Sequence, residues 1–585
     1  SDFSTVGGGY NNLAGPGAWT LVSWETNHAD TVAGGNNNEA TGGLSAIGGG
    51  ALNKAIGKSS VVSGGFNNTV SGSKSAIGGG EAHSVFGSYA TISGGGPTEL
   101  GADLDRIGNI VYDDYGTIGG GADNRAGSND GATQDTTNAK FTTIGGGKNN
   151  SATALSATVG GGQGNQASGE LSTVGGGQAN RALAPYATIA GGGPSNPSDP
   201  ANTNNRVTDS YGVIGGGANN QAGDDAGSLE DAAYATVGGG AHNRAFGYGA
   251  TIAGGYNCEA SGNYSTIGGG GGHQVSGPSA TVCGGGSNFA TNDGAFVGGG
   301  TLNVASGYMS TIGGGGTPAA TGSGNIASAS YSTIGGGAVN MVSDENGTVG
   351  GGIGNQAGDN SGTEVDAESA TVAGGRVNVA SGAYSMVPGG KDNTAVGQYS
   401  FAAGRRAKAN SNGVFAWADS TDADFTVGTA NQFAARASGG VKFYTNAALT
   451  TGVSVAAGGG SWSNLSDRDK KENIERVDPE EVLEKVSELP ISTWNYIGSD
   501  PGIRHMGPMA QDLYAAFELG DSDKAITTID ADGVALAAIQ GLHEKVNRKD
   551  EEIKTLRAEV AELKSIVHAL LEEARGRASY TADDQ

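Results

Sequence analysis

An isoleucine or valine recurs at a fixed interval through about 400 residues of the chain, directly before a cluster of glycines. The interval is 15 residues wherever nothing is inserted. The regular runs place these aliphatic residues at Ile47, Val62, Ile77 and Ile92, at Ile144, Val159, Val174 and Ile189, and at Val237, Ile252, Ile267, Val282, Val297 and Ile312. A solvated linker has no reason to return an aliphatic side chain at constant spacing, so the pattern disfavours disorder. It predicts a mainly β protein in which residues 1–404 form a parallel β-roll, or β-solenoid, of stacked coils.

Two other residue types recur at the same interval as the aliphatic residue. An aromatic residue recurs three positions before it, for example at Tyr89, Tyr115 and Tyr186, and an asparagine six positions after it, for example at Asn53 and Asn68. Coils stacked about 4.8 Å apart place equal positions above one another. We therefore expect ladders of aliphatic, aromatic and amide side chains, with the glycines forming tight turns that a Cβ atom would block.

Seven intervals are longer than 15 residues, and the extra residues include Trp19, Trp24 and many aspartates. Insertions into a solenoid form surface loops and often lie on a binding face. These loops are either tolerated surface variation or contacts to a cell-surface glycan or protein receptor. The sequence leaves both interpretations open.

Composition and charge narrow the range of partners. The chain has 585 residues, 111 of them glycine, and a formal net charge of −26. Nucleic acid and anionic membranes require a positive field, so we expect neither as a partner. No apolar run approaches the roughly 20 residues that span a bilayer, and the chain begins inside the repeat, which indicates a mature product or a fragment. Cys258 and Cys283 occupy different repeat positions, so we predict no disulfide framework, metal site or cofactor.

Other interpretations of the repeat have less support. A phosphate-binding glycine loop needs a following Lys and Ser or Thr, which "GGGKNN" lacks. Calcium-binding nonapeptides need aspartate at a fixed offset, whereas this repeat fixes asparagine. A threonine column before the aliphatic residue leaves ice binding open. His83, His242 and His273 stand where other coils carry asparagine or small polar residues, so we interpret them as ladder substitutions.

The glycine-rich, asparagine-marked repeats with an [S/A]-T-[I/V]-G core resemble the head repeats of trimeric autotransporter adhesins. The resemblance covers most of residues 1–404 and implies left-handed parallel β-rolls assembled as a homotrimer, although that family's repeats are commonly one residue shorter. Those adhesins end in a membrane anchor, whereas this sequence ends in a polar helix and an acidic tail. We therefore expect no anchoring in an outer membrane.

The sequence changes character after the repeat. The period is lost, segments such as "NQFAARA" and "GVKFYTN" predict short strands, and charged residues then become frequent. We divide this part into a β cap or stalk with a linker at 405–460, an α+β domain at 461–538, a trimeric coiled coil at 539–575 and a disordered tail at 576–585. Within the α+β domain we predict helices at 479–489 and 509–519 and a strand at 491–497.

The predicted coiled coil follows a heptad repeat. Its apolar positions are Ile539, Val546, Ile553, Val560 and Val567 at a and Leu542, Leu556, Leu563 and Leu570 at d, with Lys549 at the remaining d position. β-branched residues at a with leucine at d favour two strands. We expect three, because the terminal helices and a trimeric β-roll should share one symmetry axis.

Four segments, "LSDRDKKENI", "PISTWNY", "RHMGPMAQDLYAAF" and "DADGVALAAIQGL", are similar to the C-terminal intramolecular chaperone of endosialidase and other phage tail-fibre proteins. In that family a Ser/Lys dyad cuts the chain directly before the serine, after the domain has trimerised. Position by position, the resemblance implies Ser466 as nucleophile, Lys471 as base and cleavage between Leu465 and Ser466. Candidate supporting residues are Lys470, which stands where the family usually has an apolar or small residue, and Asn473, His505, Gln511 and Asp512.

The residue types suit this chemistry. A serine hydroxyl is a weak nucleophile that needs an adjacent base, and a lysine can be that base when burial or a neighbouring cation lowers its pKa. Arg468 and Lys470 are such neighbours, and trimerisation would supply the burial. Without the downstream motifs, the same segment would be interpreted as a helix cap or a solvated turn.

The sequence thus predicts an extracellular, tail-fibre-like trimeric fibre or adhesin, with a shaft for surface attachment and a chaperone that cleaves itself off. We expect no enzymatic activity on an external substrate. The protein would belong to a virion or injection-system fibre, attached to a phage or contractile-injection-system baseplate, or to a cell surface. Alternatives are a glycan-degrading tailspike-type enzyme with its site in the insertions, and a structural, ice-binding or carbohydrate-binding surface protein.

Overall fold

The structure is a computed structural model that describes residues 3–15, 29–98, 108–129, 135–317 and 323–580. It divides into two compact units, Ser1–Arg436 and Ala437–Gln585. Trp19 and Trp24, which the sequence places in the first insertion, lie outside the described residues. Of the helices in the described residues, none has the length and apolar content that crossing a bilayer requires.

The first unit is a parallel β-solenoid, as the 15-residue period predicts. A representative coil has a two-residue strand at Ala46–Ile47, a single bridge at Ala51 and a second strand at Lys54–Ala55. All three segments pair in parallel with the same positions of the next coil, 15 residues on. Each coil therefore adds one rung to three ladders, and these ladders join only neighbouring coils.

The two main sheets run through the whole unit. The first begins at Thr5–Val6 and the second at Leu13–Ala14. The aliphatic residues of the first sheet, such as Ile77, and the alanines of the second, such as Ala55, are fully buried and face each other across a narrow core. An alanine or valine on one wall and an aliphatic residue on the other fill this space, which explains why the repeat keeps both positions apolar.

The asparagine ladder predicted from the sequence is buried and bridges the coils. The Asn53 Nδ2 donates to the carbonyl oxygens of Gly49 at 3.0 Å and Gly65 at 2.9 Å, and its Oδ1 accepts from the Asn68 backbone N at 3.1 Å. One amide therefore closes the glycine turn of its own coil and holds the next coil. At Gly50 (φ +87°) a Cβ would lie 2.1 Å from the Gly65 oxygen, so the turn requires glycine.

The aromatic column lies on the outside of the solenoid. Tyr89, Tyr115 and Phe141 adopt left-handed φ values and are about half exposed. Their rings stack, with centroids 5.0 Å apart between Tyr89 and Tyr115 and 4.8 Å between Tyr115 and Phe141. Tyr186, Tyr211 and Tyr234 repeat this arrangement. The aromatic ladder is confirmed, but it belongs to the surface and not to the core.

The solenoid extends beyond the predicted boundary at residue 404. Its last strands are longer than those of the repeat and remain parallel, at Phe401–Arg405, Ala407–Ala409, Phe415–Ala418, Phe425–Val427 and Phe433–Arg436. The paired positions Phe401, Phe415 and Phe433 lie 14 and then 18 residues apart. Coiling continues while the spacing changes. Stacked phenylalanines occupy the position directly before the core residue, and the buried Ala402 and Ala416 take the place of the aliphatic residue. A separate β cap starting at residue 405 was therefore a wrong expectation.

The second unit opens with an antiparallel sheet of Val441–Tyr444, Gly452–Val455 and Ser463–Asn464. A helix α1 (Pro479–Glu488), a hairpin of Ser492–Trp494 with His505–Gly507, and a helix α2 (Ala510–Phe517) follow. Both predicted helices and the predicted strand are present, each within a few residues of its expected ends. Asp478 caps α1 by accepting from the backbone N of Glu480 at 2.9 Å.

The last helix, α3, spans Thr528–Tyr580. It packs against α1 through Val482, Val534 and Ala538, and Arg548 forms an ion pair with Glu480 at 2.6 Å. Helix α3 therefore begins well before the predicted coiled coil at 539. Residues 576–580, expected as the start of a disordered tail, continue this helix, because the Arg- and Ala-rich end contains no helix-breaking proline.

Candidate active site

The segment after the last strand of the antiparallel sheet forms a single tight turn. Asp467 accepts a hydrogen bond from the Asp469 backbone N at 3.1 Å and so caps a 3₁₀ helix at Arg468–Lys470. The Lys471 backbone N then donates to the Arg468 carbonyl oxygen at 3.1 Å. Because a 3₁₀ turn needs only three residues, it brings the residue after it back toward the one before it.

This turn places Lys471 against Ser466. The Lys471 Nζ donates to the Ser466 Oγ at 2.7 Å. Both side chains are exposed in the single chain. A nucleophile and a base in direct hydrogen-bond contact are the minimum that serine-based bond cleavage requires. The predicted nucleophile and the predicted base therefore lie in direct hydrogen-bond contact.

The residue before the serine is held by the sheet. The Leu465 backbone N donates to the Gly452 carbonyl oxygen at 3.2 Å, so Leu465 extends the pairing of the last strand. The Leu465–Ser466 bond therefore joins an anchored residue to a turn. Attack by a serine Oγ on the carbonyl just before its own nitrogen closes a five-membered ring, which this covalent adjacency makes accessible.

The other candidate residues are placed differently. Lys470 ends the 3₁₀ turn, and Asn473 adopts a left-handed φ of 56° two residues after Lys471. The His505 ring packs on the Trp494 ring with centroids 4.7 Å apart, while Gln511 and Asp512 lie in the first turn of α2. Within residues 323–580, no hydrogen bond joins these five residues to Ser466 or Lys471.

One link to the site was not expected from the sequence. The Asn464 Nδ2 donates to the Thr528 Oγ1 at 3.2 Å, which connects the residue before Leu465 to the first residue of α3. The two residues are 64 positions apart, and no local pattern indicates such a pair. Through this bond the segment before Ser466 contacts the helix that carries the heptad repeat.

Comparison with known families identifies the same part of the chain. The family described as the chaperone of endosialidase matches residues 466–519, so the matched segment begins at the serine of the dyad. No curated protein matches the chain. The chain therefore combines a parallel β-solenoid with a chaperone-of-endosialidase domain, whereas the resemblance of the repeats to trimeric autotransporter heads stays a prediction.

Proposed function

We propose that the chain is the precursor of an extracellular, tail-fibre-like homotrimer whose C-terminal domain assembles the fibre and then cuts itself off. The solenoid is the shaft that mediates attachment, and the cut lies between Leu465 and Ser466. The observation that carries this proposal is the 2.7 Å contact between Lys471 Nζ and Ser466 Oγ, at the start of the segment that matches the chaperone family. Slow non-local β pairing of three chains is a reason for such a chaperone.

The proposed cleavage proceeds in two steps. The neutral Lys471 amine takes the proton of the Ser466 hydroxyl while the Oγ attacks the Leu465 carbonyl carbon. The peptide C–N bond then breaks, and the departing Ser466 nitrogen accepts a proton, which leaves an ester between Leu465 and the Oγ. Water hydrolyses this ester to a Leu465 carboxylate and restores the hydroxyl.

The trimer is supported by an apolar stripe along α3. Its members are about half exposed or more in the single chain: Ile539, Leu542, Val546, Ile553, Leu556, Val560, Leu563, Val567 and Leu570. Such a long row of exposed aliphatic side chains at heptad spacing needs partner helices to cover it. We assign the partners to further copies of this chain, three in all, because the shaft and the terminal helices of one assembly contain the same number of chains.

Trimerisation also offers a trigger for cleavage. Withdrawing a lysine from water favours its neutral amine, which is the form that can act as base. The dyad is exposed in the single chain, and α3 is hydrogen-bonded to the adjoining Asn464. Assembly of three α3 helices would therefore change the surroundings of the dyad after, and not before, the chains are in register.

The mass of the purified product tests the cleavage. We expect the wild-type shaft to end at Leu465, whereas Ser466→Ala and Lys471→Ala leave the chain intact. Lys470→Ala is the matched control, because it removes a neighbouring ammonium group that does not contact the serine, and it should still cleave. An intact wild-type trimer, or cleavage that survives in Ser466→Ala, would contradict the proposed mechanism.

A further inference from the structure

Two of the longer coils carry the same arrangement of three aspartates. The first set is Asp209, Asp224 and Asp231, and the second is Asp344, Asp359 and Asp366. Within each set, one carboxylate oxygen from every residue lies within 4.8 Å of the other two. Both sets show the same sequence spacing. In each set the second aspartate follows the first by one coil, and the third lies in the insertion that leads back to the next coil. The repetition indicates one structural device used twice.

The first aspartate of each set is buried with half of its carboxylate unused. Asp209 is 1% exposed and Asp344 is 0% exposed. Their Oδ2 atoms accept from the backbone N of Asp224 at 2.9 Å and of Asp359 at 2.8 Å. Their Oδ1 atoms are buried, and no donor among the residues that the structure describes reaches them. A buried carboxylate oxygen without a donor is costly unless a proton or a cation binds it.

Glycines leave space for these carboxylates. Gly223 and Gly358 precede the second aspartate of each set and have φ values of +99° and +102°. A Cβ at either position would lie 2.1 Å from the Oδ2 of Asp209 or Asp344. The backbone closes over the buried carboxylate only because these residues have no side chain, so the pocket is part of the fold.

The charge inside each set is not balanced by protein. Among the described residues, no lysine or arginine forms an ion pair with any of the six carboxylates. Burial raises the pKa of Asp209, and the neighbouring Asp224 and Asp231 raise it further. Burial likewise raises the pKa of Asp344. Three carboxylates at such distances repel one another, and a bound cation would remove that repulsion.

We propose that each aspartate set holds one Ca²⁺ ion. All the candidate ligands are carboxylate oxygens, which suit hard cations, and neither set contains a histidine or cysteine. Two of the three ligands in each set lie on irregular loop segments, which fit the variable geometry of Ca²⁺ better than the strict octahedron of Mg²⁺. Water fills the remaining coordination positions. The ion would link the insertion that carries the third aspartate to the buried first aspartate of the set.

The competing explanation is a proton shared between carboxyl groups. Aspartates held together only by a shared proton would bind no Ca²⁺. A Ca²⁺ site would bind the ion with a stoichiometry set by the number of intact aspartate sets.

Calorimetric titration of the chelator-treated full chain with CaCl₂ near neutral pH tests the proposal. We expect two sites per chain, with dissociation constants on the order of 10⁻⁴ to 10⁻³ M, and weaker binding of MgCl₂. Asp209→Asn and Asp344→Asn should each remove one site. Asp225→Asn is the matched control and should keep both, because the second coil carries Asn360 at that place.

A second pair of variants keeps the test independent of folding. Asp231 and Asp366 are exposed, so Asp231→Asn and Asp366→Asn leave the coil intact and should each still remove one site. The proposal would be overturned if the wild-type chain bound no Ca²⁺ at ion concentrations several-fold above the expected dissociation constants. Binding that persists in the Asp209→Asn/Asp344→Asn protein would overturn it as well.

Discussion

Single side chains in the asparagine ladder show how tightly the repeat constrains each position. His83 and His273 replace asparagine, and the Nδ1 of each accepts from the backbone N of the next rung, Asn109 at 3.0 Å and Asn288 at 3.1 Å. This geometry confirms that both histidines are ladder substitutions. His242 lies one position before the ladder, where it contacts Asn219. Burial lowers the pKa of His83 and of His273.

These histidines should make the solenoid sensitive to mild acid. Because the folded-state pKa lies below the usual 6.5, the unfolded chain binds more protons as the pH falls. Their contribution to stability is therefore complete above pH 6.5 and is lost as the pH falls through the folded-state pKa. Each pKa unit of difference corresponds to about 1.4 kcal/mol.

Thermal unfolding at about pH 7.5 and about pH 5 measures this effect. We expect the melting temperature of the wild type to fall more between the two conditions than that of His83→Asn/His273→Asn, which restores the amide ladder. Titration of the carboxylates changes the melting temperature of both proteins equally, so it does not affect the comparison. Equal falls in the two proteins would show that the buried histidines do not titrate on unfolding as argued.

At the residue level, a local motif was enough to predict which two side chains lie together, while their catalytic roles stay a prediction. Ser466 and Lys471 are five positions apart, and one tight turn is enough to join them. The aspartate sets were missed, because each combines two neighbouring coils with an insertion. No single offset carries an aspartate in every repeat. The signal was the identical spacing of aspartates after Val207 and after Val342.

At the level of elements, helix α3 leaves a long row of apolar side chains exposed in the single chain. Its first turns pack on α1, whereas the heptad positions beyond them face solvent in the single chain. Helix periodicity predicted this element well, because the apolar stripe repeats over many turns. The helix also includes residues 528–538, which pack on α1 and do not follow the heptad pattern.

Charges introduced into the stripe should stop both assembly and cleavage. An aspartate buried between apolar helices costs several kcal/mol, so Leu556→Asp/Leu563→Asp should give monomers that remain uncut. Ala558→Asp/Ser565→Asp adds the same charge to the opposite face of the helix and should assemble and cleave normally. Light scattering reports the oligomeric state, and product mass reports cleavage. Cleavage in the monomeric variant would show that the chain cuts itself without assembling, which contradicts the expectation.

The end of the solenoid was harder to predict than its repeat. A period of 15 is visible only while the aliphatic residue and the glycines recur together. In the last coils the period changes, and ion pairs of Arg405 with Asp422 at 2.7 Å and of Arg406 with Asp424 at 2.9 Å stabilise the turns. Parallel pairing persists because backbone hydrogen bonds tolerate a changed loop length, which a fixed sequence period cannot reveal.

At the scale of the whole solenoid, the backbone ladders join each coil only to the coil before it and the coil after it. The asparagine ladder follows the same rule, with each amide reaching one coil further. The free energy of unfolding is then close to a sum of neighbour terms, and the coils unfold in sequence from an end.

This arrangement determines how the shaft would yield under load. Force applied along one chain acts on one rung at a time, since the backbone ladders bond only neighbouring coils. We expect a sawtooth in single-molecule stretching, with about 50 Å of extension per regular coil of 15 residues and longer steps where insertions occur. One large step would contradict serial release. Serial release would let the shaft dissipate a sudden pull gradually and keep hold of whatever surface it has reached.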